Sequence, residues 1–213
     1  VLGRSAVNYK YLLNEIKLGL KQYVILGSGY DTSGYLVNDG VKVFELDRSE
    51  VIEDKISRIK KTNIDNSNVL YISCDFNKDR INSLISNNFD YNKKSMFSIL
   101  GVSYYLDKDV FFSMLEKISN IISQGSVILF DYPNGYNESG KNRVLASGCG
   151  EVMKSYYKEE EIIDFCDKNS MYVVENIGKY ELDNEYFYDY NTLNPNNKIF
   201  FNKDINICVA VKK

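Results

Sequence analysis

Gln22 to Thr32, QYVILGSGYDT, is the stretch that most narrows what this chain can fold into. Tyr23 to Leu26 is an apolar, partly β-branched run, and Gly27-Ser28-Gly29 then breaks it. A buried strand ending in a turn this tight brings bare backbone against whatever lies beyond the strand. Phe44 to Arg48, FELDR, comes about one βα unit later and repeats the pattern, an apolar strand with Glu45 and Asp47 where it ends. In open parallel α/β sheets, ligands lie outside the carboxyl ends of the strands. There a glycine turn and an acidic group can hold a nucleoside between them, the carboxylate taking the ribose hydroxyls.

The remaining chain reads as more of the same sheet. Apolar residues at Val7, Tyr11, Leu12, Ile16 and Leu20 make a helical stripe over Ser5 to Leu20. After strand one (Gln22–Leu26), Asp31 and Thr32 can cap a short helix, and strand two is Lys42–Leu46. Arg48 to Thr62 alternates acid and base, with Val51, Ile52, Ile56 and Ile59 inward and the charges facing solvent. Strand three (Val69–Cys74) ends at Asp75-Phe76 and leads to a short helix, Arg80–Ser86. Strand four is Ser95–Leu100, followed by a long helix from Asp107, its expected N-cap, to Ser123. Strand five, Ser126–Phe130, ends at Asp131-Tyr132-Pro133. Asn134 to Tyr157 is polar and glycine-bearing, which suggests a lid or substrate loop over the strand ends. Helix Lys158–Lys168 presents a solvated acidic face, and strand six is Met171–Ile177. An irregular tyrosine-rich stretch, Tyr180 to Phe201, precedes the last strand, Asn206–Lys212. Two late strands with a loose link between them suggest a terminal antiparallel pair. The expected fold is therefore α/β, a Rossmann-like and mostly parallel sheet in one domain, with an antiparallel C-terminal strand.

Composition removes several functions. There is no histidine, which excludes histidine-based triads and general bases and most zinc sites. A formal net charge of −3 gives no electrostatic case for nucleic acid or an anionic membrane. No apolar run is long enough to span a bilayer. Cys74, Cys149, Cys166 and Cys208 lie far apart with no CxxC, as idle thiols of a reducing, cytoplasmic compartment would. The sequence opens Val-Leu-Gly-Arg without an initiating Met, so an N-terminal cap segment is expected to precede it.

Spacing then points to a cofactor. Glu45 and Asp47 fall sixteen to eighteen residues past Gly29, where a ribose acid belongs. Asp75-Phe76 sets a polar group beside an aromatic, suited to an adenine. The third glycine of a dinucleotide motif is missing, and Asp31 stands where a pyrophosphate would be repelled. A carboxylate there suits a cationic ligand that carries a sulfonium and an ammonium and no phosphate.

With these features in place, five blocks resemble the leucine carboxyl methyltransferase family and its bacterial relatives, which are class I S-adenosyl-L-methionine-dependent O-methyltransferases. The blocks are QYVILGSGYDT, VFELDRSEVIEDK, YISCDF, MFSILGVSYYLDKDVFFSMLEKI and GSVILFDYP, in the family's order between Arg4 and Pro133. The resemblance implies S-adenosyl-L-methionine as cofactor and S-adenosyl-L-homocysteine as product. It places Gly27, Ser28, Gly29, Asp31 and Thr32 in the cofactor's glycine turn, Asp47 with Glu45 on the ribose, and Asp75 and Phe76 on the adenine. Arg4-Ser5 matches a pair that holds the methionine carboxylate, with Asn8 where an Asp is usual. Ser49 replaces a preferred proline, and Leu100 occupies a slot that often holds Glu, leaving Asp31 or a backbone carbonyl to read the cofactor's ammonium.

Plainer readings stand beside these. Asp47 and Asp75 can be helix caps, and Arg4 a surface arginine. Tyr104 and Tyr105 can orient an acceptor or simply pack, as can Tyr186, Tyr188 and Tyr190. The expected reaction is methyl transfer to a carboxylate or hydroxyl of a small molecule or an exposed protein carboxylate. A hydroxyl acceptor would need a base, with Asp131 or a tyrosine as candidates. Rival readings are an NAD-type oxidoreductase and a cofactor-binding protein without catalysis.

Overall fold

The computed structural model describes residues 2–37, 40–78, 81–135 and 153–213. In these residues a seven-stranded sheet runs in the order β3-β2-β1-β4-β5-β7-β6. Its strands are β1 (Gln22–Leu26), β2 (Lys42–Asp47), β3 (Val69–Ser73), β4 (Ser95–Ile99), β5 (Val127–Pro133), β6 (Met171–Ile177) and β7 (Ile205–Lys212). The first five are parallel, and β7 enters between β5 and β6 antiparallel to both. β1 and β4 are buried along their whole length, as strands covered on both faces must be.

One face carries Val24, Leu26, Phe44, Leu46, Phe97 and Ile99, packed under α3 (Asn82–Ser86), α4 (Lys108–Ile121) and α5 (Glu159–Lys168). Tyr23, Ile25, Val43, Met96 and Leu129 line the other, against Val7 and Leu12 of α1 (Leu2–Lys17) and Leu182 of α6 (Lys179–Glu185). Strand alternation puts Glu45, Asp47 and Asp131 on this second face. Here α2 (Ser49–Ile59) presents Ile52 and Lys55, both buried, to the sheet.

Several expectations need correction. β5 continues through Asp131, Tyr132 and Pro133, all buried and paired with β7, so Asp131 lies inside the strand. A charge that read as a boundary is held there by donors from three directions. The tyrosine-rich stretch contains two short helices, α6 and α7 (Tyr188–Leu193), too short to show a stripe. Asp107 is the N-cap of α4, as expected, but makes no side-chain cap bond. Of the expected lid, residues 136–152 lie outside the described residues. Its C-terminal end is core: Tyr157 is fully buried and its N–H donates to the Pro133 carbonyl at 2.8 Å. Tyr188 and Tyr190 are exposed, so neither packs into the core.

Candidate functional site

The connections leaving β1 and β4 run to opposite sides of the sheet, so a crevice opens between their carboxyl ends. The glycine turn forms its left wall. Gly27 has φ +69° and lies so close to the next loop that an added Cβ would stand 2.4 Å from Val102 Cγ2. Gly29, with φ +43°, has no neighbour within 4 Å of such a Cβ, so its α-carbon faces open space. Only glycine satisfies both demands, a close approach at one position and a bare backbone at the other.

Asp47 closes the turn from β2. Its Oδ2 accepts the Gly29 N–H at 2.7 Å and its Oδ1 accepts the Arg48 N–H at 2.8 Å, which leaves each oxygen a further lone pair. Asp47 closes the turn and does not cap α2, whose N-cap is Arg48 and has no side-chain cap bond. Glu45 lies elsewhere. It is fully buried beneath the turn, with Oε2 2.5 Å from the equally buried Lys55 Nζ. Lys55 also donates to the Asp31 carbonyl at 2.7 Å, and Asp31 Oδ1 accepts the Ser33 N–H at 2.6 Å. Burial pushes the Glu45 carboxyl up to about 7, against the pull of the Lys55 ammonium. The Ser28 side chain is buried beside the same carboxyl. Asp31, Glu45 and Asp47 thus lie along the turn and the end of β2 with one ammonium, Lys55, paired to Glu45, an excess of acid that disfavours phosphate and favours a cation.

Across the crevice Asp131 is a hub. Its Oδ1 accepts the Gly101 N–H at 2.7 Å, and its Oδ2 accepts Arg4 Nη1 at 2.9 Å and the Tyr104 hydroxyl at 2.7 Å. Burial works against the Arg4 charge, but Asp131 and Tyr104 more than offset it, and its pKa stands above the ordinary value. Burial and the Asp131 charge together push the Tyr104 phenol far up, so it stays protonated. The Arg4 guanidinium lies 3.0 Å from where a Cβ on Gly101 would stand, close contact that the glycine permits. Leu100, in the slot where the resemblance implies Glu, is half-buried with the α1-side apolar cluster.

Other expected residues fall at greater or lesser remove. Asp75 is at the surface end of β3, accepting the Asn77 N–H at 3.1 Å and pairing with Lys78 at 3.3 Å. Phe76 is mostly inside the core cluster. Tyr105 is half-buried, its ring 6.0 Å from that of Tyr104. Asn8 is a structural tie, donating to the Tyr23 hydroxyl at 2.8 Å. Beyond Arg4 and Asp131 a hollow of about 540 Å³ extends between the start of α1 and the segment before β7. Lys55 is the residue the sequence reading missed. It follows Ile52 by three on the inward face of α2, opposite a strand that carries Glu45, but a lysine in a helix of alternating charge reads as solvent-facing. Among the described residues no helix is long and apolar enough to cross a membrane, and no cluster of His, Cys, Asp or Glu could hold a metal ion.

Comparison with known proteins gives the family and the fold. The chain is 31% identical over 199 residues to YktD of Bacillus subtilis (strain 168), a "putative S-adenosyl-L-methionine-dependent methyltransferase". The match covers 87% of this chain and 65% of YktD, so the chain spans just under two thirds of that relative. By structure it is similar to magnesium protoporphyrin IX methyltransferase from Synechocystis PCC 6803, solved with bound SAH. That likeness has a TM-score of 0.64 at 11% identity, covering all of this chain and 84% of the other. It is similar also to a "putative methyltransferase" from Thermobifida fusca YX, with a TM-score of 0.70 at 14% identity, covering all of this chain and 81% of that one. At such identities the likeness establishes the fold. The sequence profile described as "Leucine carboxyl methyltransferase" matches residues 1–119, which include α1 with Arg4, the glycine turn, Asp47 and Tyr104. On that match the chain belongs to the leucine carboxyl methyltransferase family.

Proposed function

We propose that the chain binds S-adenosyl-L-methionine across the ends of β2, β1 and β4 and methylates a carboxylate. The observation that carries the cofactor reading is the glycine turn closed by Asp47 over an acidic base, Asp31 and Glu45, with Gly29 facing open space. The residues fit the cofactor's charges. Asp47 has acceptor capacity for a ribose diol, and the acidic surroundings of the turn suit an ammonium and a sulfonium. The Arg4 guanidinium has donors beyond the one it gives Asp131, and these suit a carboxylate. When bound, the cofactor supplies an electrophilic methyl group on a cationic sulfur.

The chain's own contribution is then placement, which can account for most of the acceleration in an in-line displacement. A carboxylate acceptor is favoured over a hydroxyl because neither Asp131 nor Tyr104, the described candidates on the β4–β5 side of the crevice, is available as a base. Asp131 already accepts three hydrogen bonds, the Tyr104 phenol is pushed up, and the sequence has no histidine. Calorimetric titration with S-adenosyl-L-homocysteine and with NAD, beside an Asp47→Asn variant, tests the cofactor. Micromolar binding of the adenosyl ligand, weakened tenfold or more in the variant, is the expected result. Binding of NAD in its place would overturn the reading.

A further inference from the structure

Arg4 stands in the first turn of α1, and its long, flexible side chain must be immobilised before the guanidinium fork can read a carboxylate. The fold does this from both ends. The backbone end rests on the wall of the hollow, where Gly3 lets the Phe201 ring lie against α1, since a Cβ there would stand 2.9 Å from it. That wall segment has no regular structure, so side chains supply its order. Asp183 of α6 accepts the Phe201 N–H at 2.7 Å. Asn191 of α7 holds Ile199 by both backbone groups, donating to its carbonyl at 2.9 Å and accepting its N–H at 2.8 Å. The head group is held by Asp131, fully buried in β5, whose carboxylate takes Arg4 Nη1, the Tyr104 hydroxyl and the Gly101 N–H. The Asp131 carbonyl accepts the Ser103 hydroxyl at 2.7 Å, so one residue of β5 holds three residues of the loop after β4. Tyr104 is itself buried and fixed a second time, because its carbonyl accepts the Lys154 N–H at 2.7 Å.

From this arrangement we infer that Tyr104 and Asp131 are positioning residues, which hold Arg4 in the orientation that reads the cofactor's carboxylate and act through it rather than by contact with the ligand. This rests on the cofactor reading. Asp131 tethers the fork at Nη1, and the remaining donors of the partly exposed guanidinium are what a ligand carboxylate would meet. The Tyr104 hydroxyl is committed to Asp131, which leaves it no role in orienting an acceptor. Its second effect is electrostatic. A carboxylate bound to Arg4 alone would neutralise the guanidinium and repel a second carboxylate. Sharing the Asp131 charge with a hydroxyl and a peptide N–H lessens both effects. The clamp therefore aims the fork and keeps its charge for the ligand.

The test is calorimetric titration of the full chain with S-adenosyl-L-homocysteine and with its decarboxylated analogue, which keeps the amine and lacks the carboxylate. Wild type should prefer the first by about tenfold or more, as a charge-assisted pair implies. Tyr104→Phe should weaken S-adenosyl-L-homocysteine about fivefold and leave the analogue within about twofold, because only the carboxylate meets Arg4. In an Arg4→Gln background the carboxylate preference should vanish and Tyr104→Phe should change nothing further, which measures the coupling directly. Asp131→Asn separates aim from charge. Removing an anion near the ligand's carboxylate would by charge alone tighten binding, whereas a fork without its tether should bind about fivefold more weakly. Circular dichroism checks that each variant folds, and if Asp131→Asn does not, the Tyr104→Phe comparison decides alone. Equal weakening of both ligands by Tyr104→Phe, an undiminished effect in the Arg4→Gln background, tighter binding by Asp131→Asn, or a wild type without preference would each overturn the inference and leave the cofactor reading standing. A wild type that binds neither ligand would refute that reading, and the inference with it.

Discussion

Glu45 and Lys55 offer the sharpest test of the physical account, because their pairing lies beneath the site and titrates in an otherwise quiet window. Burial raises the Glu45 carboxyl from 4.5 to about 7, a displacement of about 2.5. Between those two values the folded chain binds more protons than the unfolded one, so stability is greatest at low pH and falls as pH rises through 7. At about 1.4 kcal/mol for each pKa unit, the fall from pH 4.5 to 8 is about 3 kcal/mol. The sequence has no histidine to mask it. For a domain of this size that difference corresponds to a change of roughly 6–12 °C in melting temperature. The groups facing the carboxyl are Lys55 from α2, Asp31 from the turn, and Tyr35 from the 3-10 helix Ser33–Leu36, hydrogen-bonded to Tyr71 of β3. Of these, Lys55 carries the compensating charge. Lys55→Met should therefore cost about 3–5 kcal/mol at pH 8, where it strands a buried carboxylate, and clearly less at pH 5, where the carboxyl takes a proton. Glu45→Gln should flatten the pH profile between 5 and 8. Urea unfolding of wild type, both single variants and the double variant at the two pH values measures every quantity. An unchanged slope in Glu45→Gln, or an equal cost of Lys55→Met at both pH values, would refute the reasoning.

Other predictions are more local. Gly27→Ala should destabilise the fold by at least about 2 kcal/mol, since it joins a left-handed φ to a clash with Val102. Gly29→Ala should cost about 1 kcal/mol in urea unfolding, the strain of φ alone, yet impair adenosyl-ligand binding in calorimetry. Asp131→Ala strands Tyr104, Gly101 and Arg4 together and should cost about 3 kcal/mol, whereas Tyr104→Phe removes one bond and should cost about 1–2 kcal/mol. Asn191→Ala should speed amide exchange at Ile199 while leaving the exchange of β1 unchanged.

The parts that could be read in advance are those where one physical demand governs a run of residues. β1 and β4, buried on both faces, had to be mostly apolar runs, broken only by Gln22, Ser95 and Ser98, and the glycines had to follow where backbone turns back on itself. Asp47 was readable for the same reason, because a carboxylate at a strand end beside a glycine turn has few other uses. Lys55 and Asp131 could not be read this way. Each is a charge placed inside by a partner on another element, Glu45 of β2 for one and Arg4 of α1 for the other, and local pattern takes any charge for surface or boundary. Glu45 illustrates the same limit, since its spacing suited a ribose acid while its neighbour on α2 drew it under the turn. The walls of the hollow were hidden too, because they belong to a stretch whose order comes from Asn191 and Asp183 rather than from periodicity.

The insertion of β7 between β5 and β6 has a consequence for the order in which the molecule can be made. β6 touches the sheet only through β7, so when it leaves the ribosome it has no edge to join. Until residues 205–212 follow, β5 keeps a bare edge and the carbonyls and amides of β6 pair with nothing in the sheet. The nascent chain thus carries an open, apolar margin for the time it takes to translate the two short helices and the wall segment, a period in which it is exposed to mispairing. Two of the seven strands join in one late event, and shortening the chain by even that one strand would remove both from the fold.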